Sequence, residues 1–492
     1  MDAIIGAIND VVWSRALIAL CLGAGLYFSI RTRFMQVRGF GEMLRLMRSG
    51  KESAAGVSAF QALAMSLSGR VGTGNIAGVA TAITFGGPGA VFWMWMVAFL
   101  GASTAYVEST LAQIYKEKDD KGLYRGGPAY YIEKAMGQKW YAWIFAVATV
   151  LATGLLLPGV QANSIALSMN VAFGVAPTVS AAGIVVALGF IVFGGVRRIA
   201  HFAQLVVPFM ALAYMLVALA IMLLNIAQVP EVLGLILRSA FGAEAAFGAV
   251  IGLAVEWGVK RGIYSNEAGQ GTGPHPAAAA EVSHPAKQGY VQAFSVYVDT
   301  LLVCSATAFM ILSAGTYNVI GRDGHAIVEA LPGVEAGPGY AQNAVESVLP
   351  GYGAGFVALA LLFFAFTTIV AYYYMAETNI SYINRKVHRP WLVPALRIGI
   401  LAAVTYGTVR SASIAWALGD IGVGLMAWLN IVAILILQKP ALRALKDYET
   451  QKKAGRDPVF DPEALGIRGA DFWATDRACA HSSVARGSGR SP

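Results

Sequence analysis

Eleven stretches of this chain each approach the roughly 20 apolar residues that carry a helix across a bilayer core: residues 11–30, 57–83, 88–115, 141–170, 177–195, 201–226, 244–268, 290–313, 353–376, 393–409 and 413–437. Backbone in hydrocarbon has no water to bond, so these stretches satisfy their own N–H and C=O groups as helices. Hydrophobic residues make up 57% of the sequence and charged ones 13%, against about 25% charged in an ordinary soluble domain. A soluble fold could not hide that apolar surface. The 55 glycines suit helices that pack backbone to backbone in lipid. The chain reads as an all-α polytopic membrane protein with eleven transmembrane helices.

Positive charge falls in alternate loops. Arg31, Arg33, Arg38, Arg45, Arg48 and Lys51 lie in 31–56, and Lys116, Lys118, Lys121, Arg125, Lys134 and Lys139 in 116–140; Arg197, Arg198, Lys287, Arg385, Lys386 and Arg389 continue the series. The intervening loops hold Arg238, Arg322 and Arg410. Basic loops stay cytoplasmic, which places the N-terminus outside and the C-terminus inside. The net charge of +8 is this topological bias, not a nucleic-acid footprint. Cys21, Cys304 and Cys479 are too scattered for a disulfide framework or a zinc site. Residues 11–30 follow Asp2 and Asp10 instead of a basic stretch, so they read as a retained helix and not a signal peptide.

An extra N-terminal helix and basic loop are expected over 1–56, a ten-helix core over 57–438 and a cytoplasmic tail over 439–492, with residues 480–492 disordered. Two core segments are interrupted. In 57–83 the stretch Ser66 to Asn75 collects Gly69, Gly72 and Gly74 with Ser, Arg, Thr and Asn, and in 244–268 the run GVKRGIYSNEAGQGTG does the same. Irregular backbone at membrane depth is tolerated only beside a cavity or inside protein. The breaks fall in the first and sixth of ten core spans. Five is odd, so the second five run inverted relative to the first, the plan in which paired broken helices build a transport site.

A half-helix starting near Asn75 exposes N–H groups and a partial positive charge, which bind a carboxylate without an arginine; this assigns the carboxylate to Thr73, Gly74 and Asn75. The plainer reading makes these glycines packing residues only. Charges in the spans are functional suspects, namely Glu108, Glu256, Asp299 and Asp420 with Arg70, for which an ion pair with Glu108, Glu256 or Glu267 is expected. The near-dinucleotide motif around Gly72 and the phosphate-loop echo in GQGTG lack a preceding strand or a following GK[ST]. The six histidines form no HExxH, so no enzyme is indicated.

The blocks GRVGTGNIAGVATAITFGGPGAVFWMW, LYRGGPAYYIEKAMG, VQANSI, GVKRGIYSNEAGQGTGPHPAAAA, VDTLLVCSATAFMIL and FAFTTIVAYYYMAE resemble, in order over roughly residues 10–450, the alanine/glycine:cation symporter family, also called sodium:alanine symporters. The resemblance implies a LeuT-like fold and cation-coupled uptake of a small neutral amino acid such as alanine or glycine across the cytoplasmic (inner) membrane. It implies Na⁺ or H⁺ as coupling ion and no cofactor, with the amino acid, the ion and membrane lipid as partners and no nucleic acid. It adds Gln161, Tyr264, Thr368 and Tyr372 to the substrate pocket. By the same resemblance, the carbonyls of Ser68 and Val71 with the hydroxyls of Thr367 and Thr368 form a Na⁺ site. A channel would share the spans and polar breaks but conduct without coupled cycling.

Overall fold

The computed structural model describes residues 2–48, 56–243, 247 and 251–474; the expectation of disorder over 480–492 lies outside them. Among the described residues eight helices are long and apolar enough to cross a membrane: Ile4–Arg31, Gly89–Ile114, Lys139–Phe173, Arg198–Leu224, Pro285–Ala314, Gly353–Val387, Leu392–Val409 and Ala412–Lys453. The three remaining sequence segments are shorter or divided. Pro177–Val192 is an apolar helix of 16 residues, and the other two contain the breaks. Two small antiparallel hairpins, Glu117–Lys118 with Tyr124–Arg125 and Asn318–Ile320 with Ala326–Glu329, join helix ends.

Local chemistry sets the helix starts. Ser58 caps Ala59–Arg70 by accepting from the Gln61 N–H, while the Gln61 side chain accepts from the Ser58 N–H, a reciprocal capping box that satisfies two orphan donors. Pro177, Pro274 and Pro285 each open a helix, where a missing N–H costs nothing. Close helix contacts rest on glycine. A Cβ on Gly407 would lie 2.3 Å from the Gly159 Cα, so Leu157–Phe173 and Leu392–Val409 touch through their backbones, the contact that dispersion rewards in lipid. Large apolar side chains such as Phe190, Leu205, Phe209 and Ile398 face outward, as a lipid-facing belt requires.

The first interrupted segment runs as helix Ala59–Arg70, leaves helical geometry over 71–72, and resumes as a wide π turn, Gly74–Gly78, and helix Val79–Gly86. The second is helix Ile251–Asn266, irregular chain over 267–273 and helix Pro274–Ala279. Lys260 and Arg261 therefore lie in unbroken helix, and the break begins at Glu267. The outer ends of the two broken segments are stitched together, because Val57 donates to Ala279 O at 3.0 Å and its carbonyl accepts from Glu281 N at 3.0 Å.

Residues 454–474 fold back on the loops. The Phe460 N–H donates to Ser283 O, Trp473 Nε1 donates to Gln113 O at 3.0 Å, and the Lys116 ammonium sits over the rings of Tyr124, Phe472 and Trp473.

Candidate functional site

The two breaks meet back to back. A Cβ on Gly74 would lie 3.0 Å from the Ser265 Cα, so a side chain there would part the half-helices. Asp299 ties them: its Oδ1 accepts from Asn75 Nδ2 at 2.6 Å and from Ser265 Oγ at 3.1 Å, and its Oδ2 from Thr300 Oγ1 at 2.7 Å. Three donors hold a fully buried carboxylate in one orientation, which is how such a charge is tolerated away from water. The second break turns through Gly269 at φ +83° and Gly271 at φ +89°, a region glycine enters at little cost.

Helix Leu157–Phe173 brings Gln161 to the first break. Its Oε1 accepts from the Thr73 N–H at 3.0 Å and its Nε2 reaches the Tyr264 hydroxyl at 3.5 Å. The Gly72 N–H donates to Asn75 Oδ1 at 2.8 Å. Thus two of the amides at this terminus are held by side-chain amides, and Asn75 spends its side chain on bracing Gly72 and Asp299. The Thr73 hydroxyl is buried without a partner. Tyr264 packs on Trp416 with centroids 4.9 Å apart, and Tyr372 is buried within electrostatic reach of Tyr264 and beside Gln161. Gly72, Thr73, Gln161, Tyr264, Thr368 and Tyr372 are therefore one cluster.

Thr368 Oγ1 lies 2.8 Å from Ser68 O, 3.4 Å from Val71 O and 3.0 Å from Phe364 O. Three carbonyls and a hydroxyl converge there, a set of neutral oxygens suited to a monovalent hard cation. Thr367 is turned away: its hydroxyl donates to Phe364 O at 2.9 Å and faces Met210 Sδ at 3.9 Å.

The buried charges are arranged differently from the sequence expectation. Arg70 bonds the Gln292 carbonyl and side chain at 3.2 Å each, and Ser295, instead of forming the expected ion pair, while Glu256 pairs with Arg322 at 3.7 Å. Asp420 takes Arg261 in a fork at 2.9 and 3.0 Å and Lys260 at 2.9 Å. Trp416, whose ring lies 4.3 Å below the Arg261 guanidinium, was missed from sequence. An arginine three residues ahead of Tyr264 was the available signal, since i,i+3 helical spacing puts both on one face.

Cavities lie on either side. One of about 440 Å³ is lined by Trp257, Lys260, Arg261, Ser411, Trp416 and Asp420. Another of about 640 Å³ is lined by Arg125, Tyr130, Glu377, Asn384, Arg385 and Arg397. Helix Leu392–Val409 begins beside the second and ends beside Ser411 of the first, so the cavities occupy opposite ends of that 18-residue helix. A many-helix membrane protein with paired broken helices and a buried polar cluster between two cavities is a solute carrier in class.

Comparison with known proteins places the chain within that class. The Sodium:alanine symporter family matches residues 1–462, and the chain belongs to this family. It is 64% identical over 473 residues to a putative sodium/proton-dependent alanine carrier protein, YrbD, of Bacillus subtilis, covering 96% of this chain and 98% of that one. It is 56% identical to the sodium/proton-dependent alanine carrier protein of Bacillus sp. strain PS3, covering 88% and 97%. A probable sodium/glutamine symporter, GlnT, of Bacillus subtilis is 43% identical over 96% of both chains.

Proposed function

We propose that this protein is a secondary active symporter that moves alanine, or a neutral amino acid of similar size, into the cell on the gradient of Na⁺ or H⁺. The observation that carries the reading is the meeting of two broken helices at Gly74 and Ser265, beside Gly72 and Thr73 with Gln161, Tyr264, Thr368 and Tyr372 around them. The substrate carboxylate lies on the N–H groups of Thr73, Gly74 and Asn75, where the dipole end favours an anion. For that, the Gln161 amide leaves the Thr73 N–H and turns its oxygen to the ammonium group. Tyr264 and Tyr372 close over the side chain. Na⁺ occupies the oxygens of Ser68, Val71 and Thr368; Thr367, facing Met210, joins only if that helix rotates.

The spans form a LeuT-like five-plus-five inverted repeat preceded by one extra helix, eleven in all, with the N-terminus outside and the C-terminus inside. The breaks five spans apart and the 18-to-3 bias of basic residues between alternate loops support this arrangement. The core then runs over 57–438, and the cavity beside Asp420 opens outward while that beside Arg385 opens inward. Closing one as the other opens is alternating access around a fixed midplane site.

Uptake of radiolabelled alanine into proteoliposomes tests the reading. An inward Na⁺ or H⁺ gradient drives accumulation above equilibrium, and Gln161→Ala lowers the apparent affinity by at least about tenfold, the scale of one charge-assisted hydrogen bond. Flux indifferent to every cation gradient would instead indicate a channel.

A further inference from the structure

We infer that Glu267 is the proton-binding group of the transport cycle and that Arg70 is the switch that discharges it. The inference rests on the symport reading above and names where the proton sits.

Glu267 and Arg70 occupy equivalent places, Glu267 opening the second break and Arg70 ending the helix before the first. Both are buried, at 0% and 1% exposure. The Glu267 carboxyl lies against the turn that carries Arg70, since its Oε2 is 3.3 Å from where a Cβ on Gly69 would stand. Yet the Arg70 hydrogen bonds run to Gln292 and Ser295. Its Nε and Nη2 have no partner, and neither does either Glu267 oxygen or the buried Thr272 hydroxyl beside them.

Three buried carboxylates share the field of this one cation: Glu267, Glu108 and Asp299. They differ in how they are solvated. Asp299 accepts from three donors as described. Glu108 accepts from the Gly269 N–H at 3.2 Å and from Asn430 Nδ2 at 2.7 Å. Glu267 has only the Thr272 hydroxyl beside it, without a formed hydrogen bond. An ionised carboxylate with no donor and no bonded counter-charge is the least tolerable species in a low-dielectric interior, and it neutralises by binding a proton. The remaining groups facing it are Tyr264 and Tyr372, neutral phenols that supply no charge, while His275 is turned to the Thr272 carbonyl and Asn379. The arrangement seen here therefore suits Glu267 as a neutral carboxylic acid, with the Thr272 hydroxyl beside it to meet its O–H.

The backbone supplies the motion. Glu267 holds φ +57°, a strained value for a residue with a side chain, at the start of irregular chain. When the half-helices tilt to open the opposite cavity, the free Nε and Nη2 of Arg70 reach Glu267, the ion pair favours the carboxylate, and the proton leaves to water in the open cavity. One proton from the outside solution is bound as COOH and released inside with the carboxylate restored, so charge and atoms balance over the cycle.

The test uses full-length protein in proteoliposomes with an internal pH dye. Wild type shows alanine-dependent proton entry, and Glu267→Gln, which mimics the protonated acid, loses it by roughly tenfold or more while alanine binding in detergent stays within about threefold. Glu108→Gln keeps the proton flux. Should Glu267→Gln fail to fold, Glu267→Asp decides: retained transport with the midpoint of its pH profile displaced by about half a pH unit or more supports the inference. Alanine-dependent proton entry in Glu267→Gln equal to wild type, an undisplaced midpoint in Glu267→Asp, or Na⁺-driven alanine uptake in wild type with no proton entry would each overturn it. Wild type that accumulates alanine on neither gradient overturns the symport reading itself, and this inference with it.

Discussion

A methyl group at position 72 would stand 2.4 Å from Thr368 Oγ1 and 3.0 Å from Gln161 Oε1, so one missing Cβ lets the first break touch both the cation-suited oxygens and the amide that caps Thr73. Gly72→Ala must push these groups apart, an overpacking cost of about 1–3 kcal/mol. The variant is expected to elute as a folded, monodisperse protein and to lose at least about nine-tenths of alanine uptake; full uptake at unchanged half-saturating cation would show that this contact is not part of the site. The glycine cluster was legible in sequence because a polar, Gly-rich stretch cannot stay helical in lipid. The separate duties of Thr367 and Thr368 were not. Neighbours on a helix point about 100° apart, so one hydroxyl reaches Ser68 O while the other meets Met210, and the alignment behind the pairing of both with one ion carries no such geometry.

Between elements, the contact with the most at stake joins helix Ile251–Asn266 to helix Ala412–Lys453 through Asp420, Arg261 and Lys260. The carboxylate is flanked by two cations, and the Trp13 indole donates to its backbone carbonyl at 2.8 Å. Removing a shared counter-ion strands both cations in a buried setting, which costs about 3–5 kcal/mol. Asp420→Ala is therefore expected to lower the thermal unfolding midpoint in detergent by several degrees, and Asp420→Asn by less; an unchanged midpoint for both would show that the cations find water in the adjacent cavity. Sequence marked Asp420 as a charge in a span and left Lys260 and Arg261 within the second interrupted run, but could not pair them, because partners 159 positions apart are set by tertiary packing. The same limit applied to Arg70, whose nearest bonds go to Gln292 and Ser295 and not to a carboxylate.

At the scale of the molecule, hydropathy located every long helix among the described residues, since about 20 apolar residues in a row have few other fates. It overstated continuity where backbone chemistry intervened, leaving among the described residues eight long spans, the 16-residue Pro177–Val192 helix and two divided segments. Orientation is a property of loop charge and biogenesis, and its test is accessibility. In a protein whose native cysteines are replaced by serine, the exposed position Ser411→Cys should react with a membrane-impermeant maleimide on intact cells, and the exposed position His388→Cys only after permeabilisation. The reverse pattern would invert the topology and exchange the roles of the two cavities.

The returning stretch 454–474 has a consequence for how the molecule is made. Chains emerge and fold from their N-terminal side first, so Gln113 and Lys116 are in place long before Trp473 and Phe472 arrive to cover them. Until synthesis reaches that point Phe472 and Trp473 are missing from the aromatic slot around Lys116, and a late act of assembly is to button one of the protein's early helices.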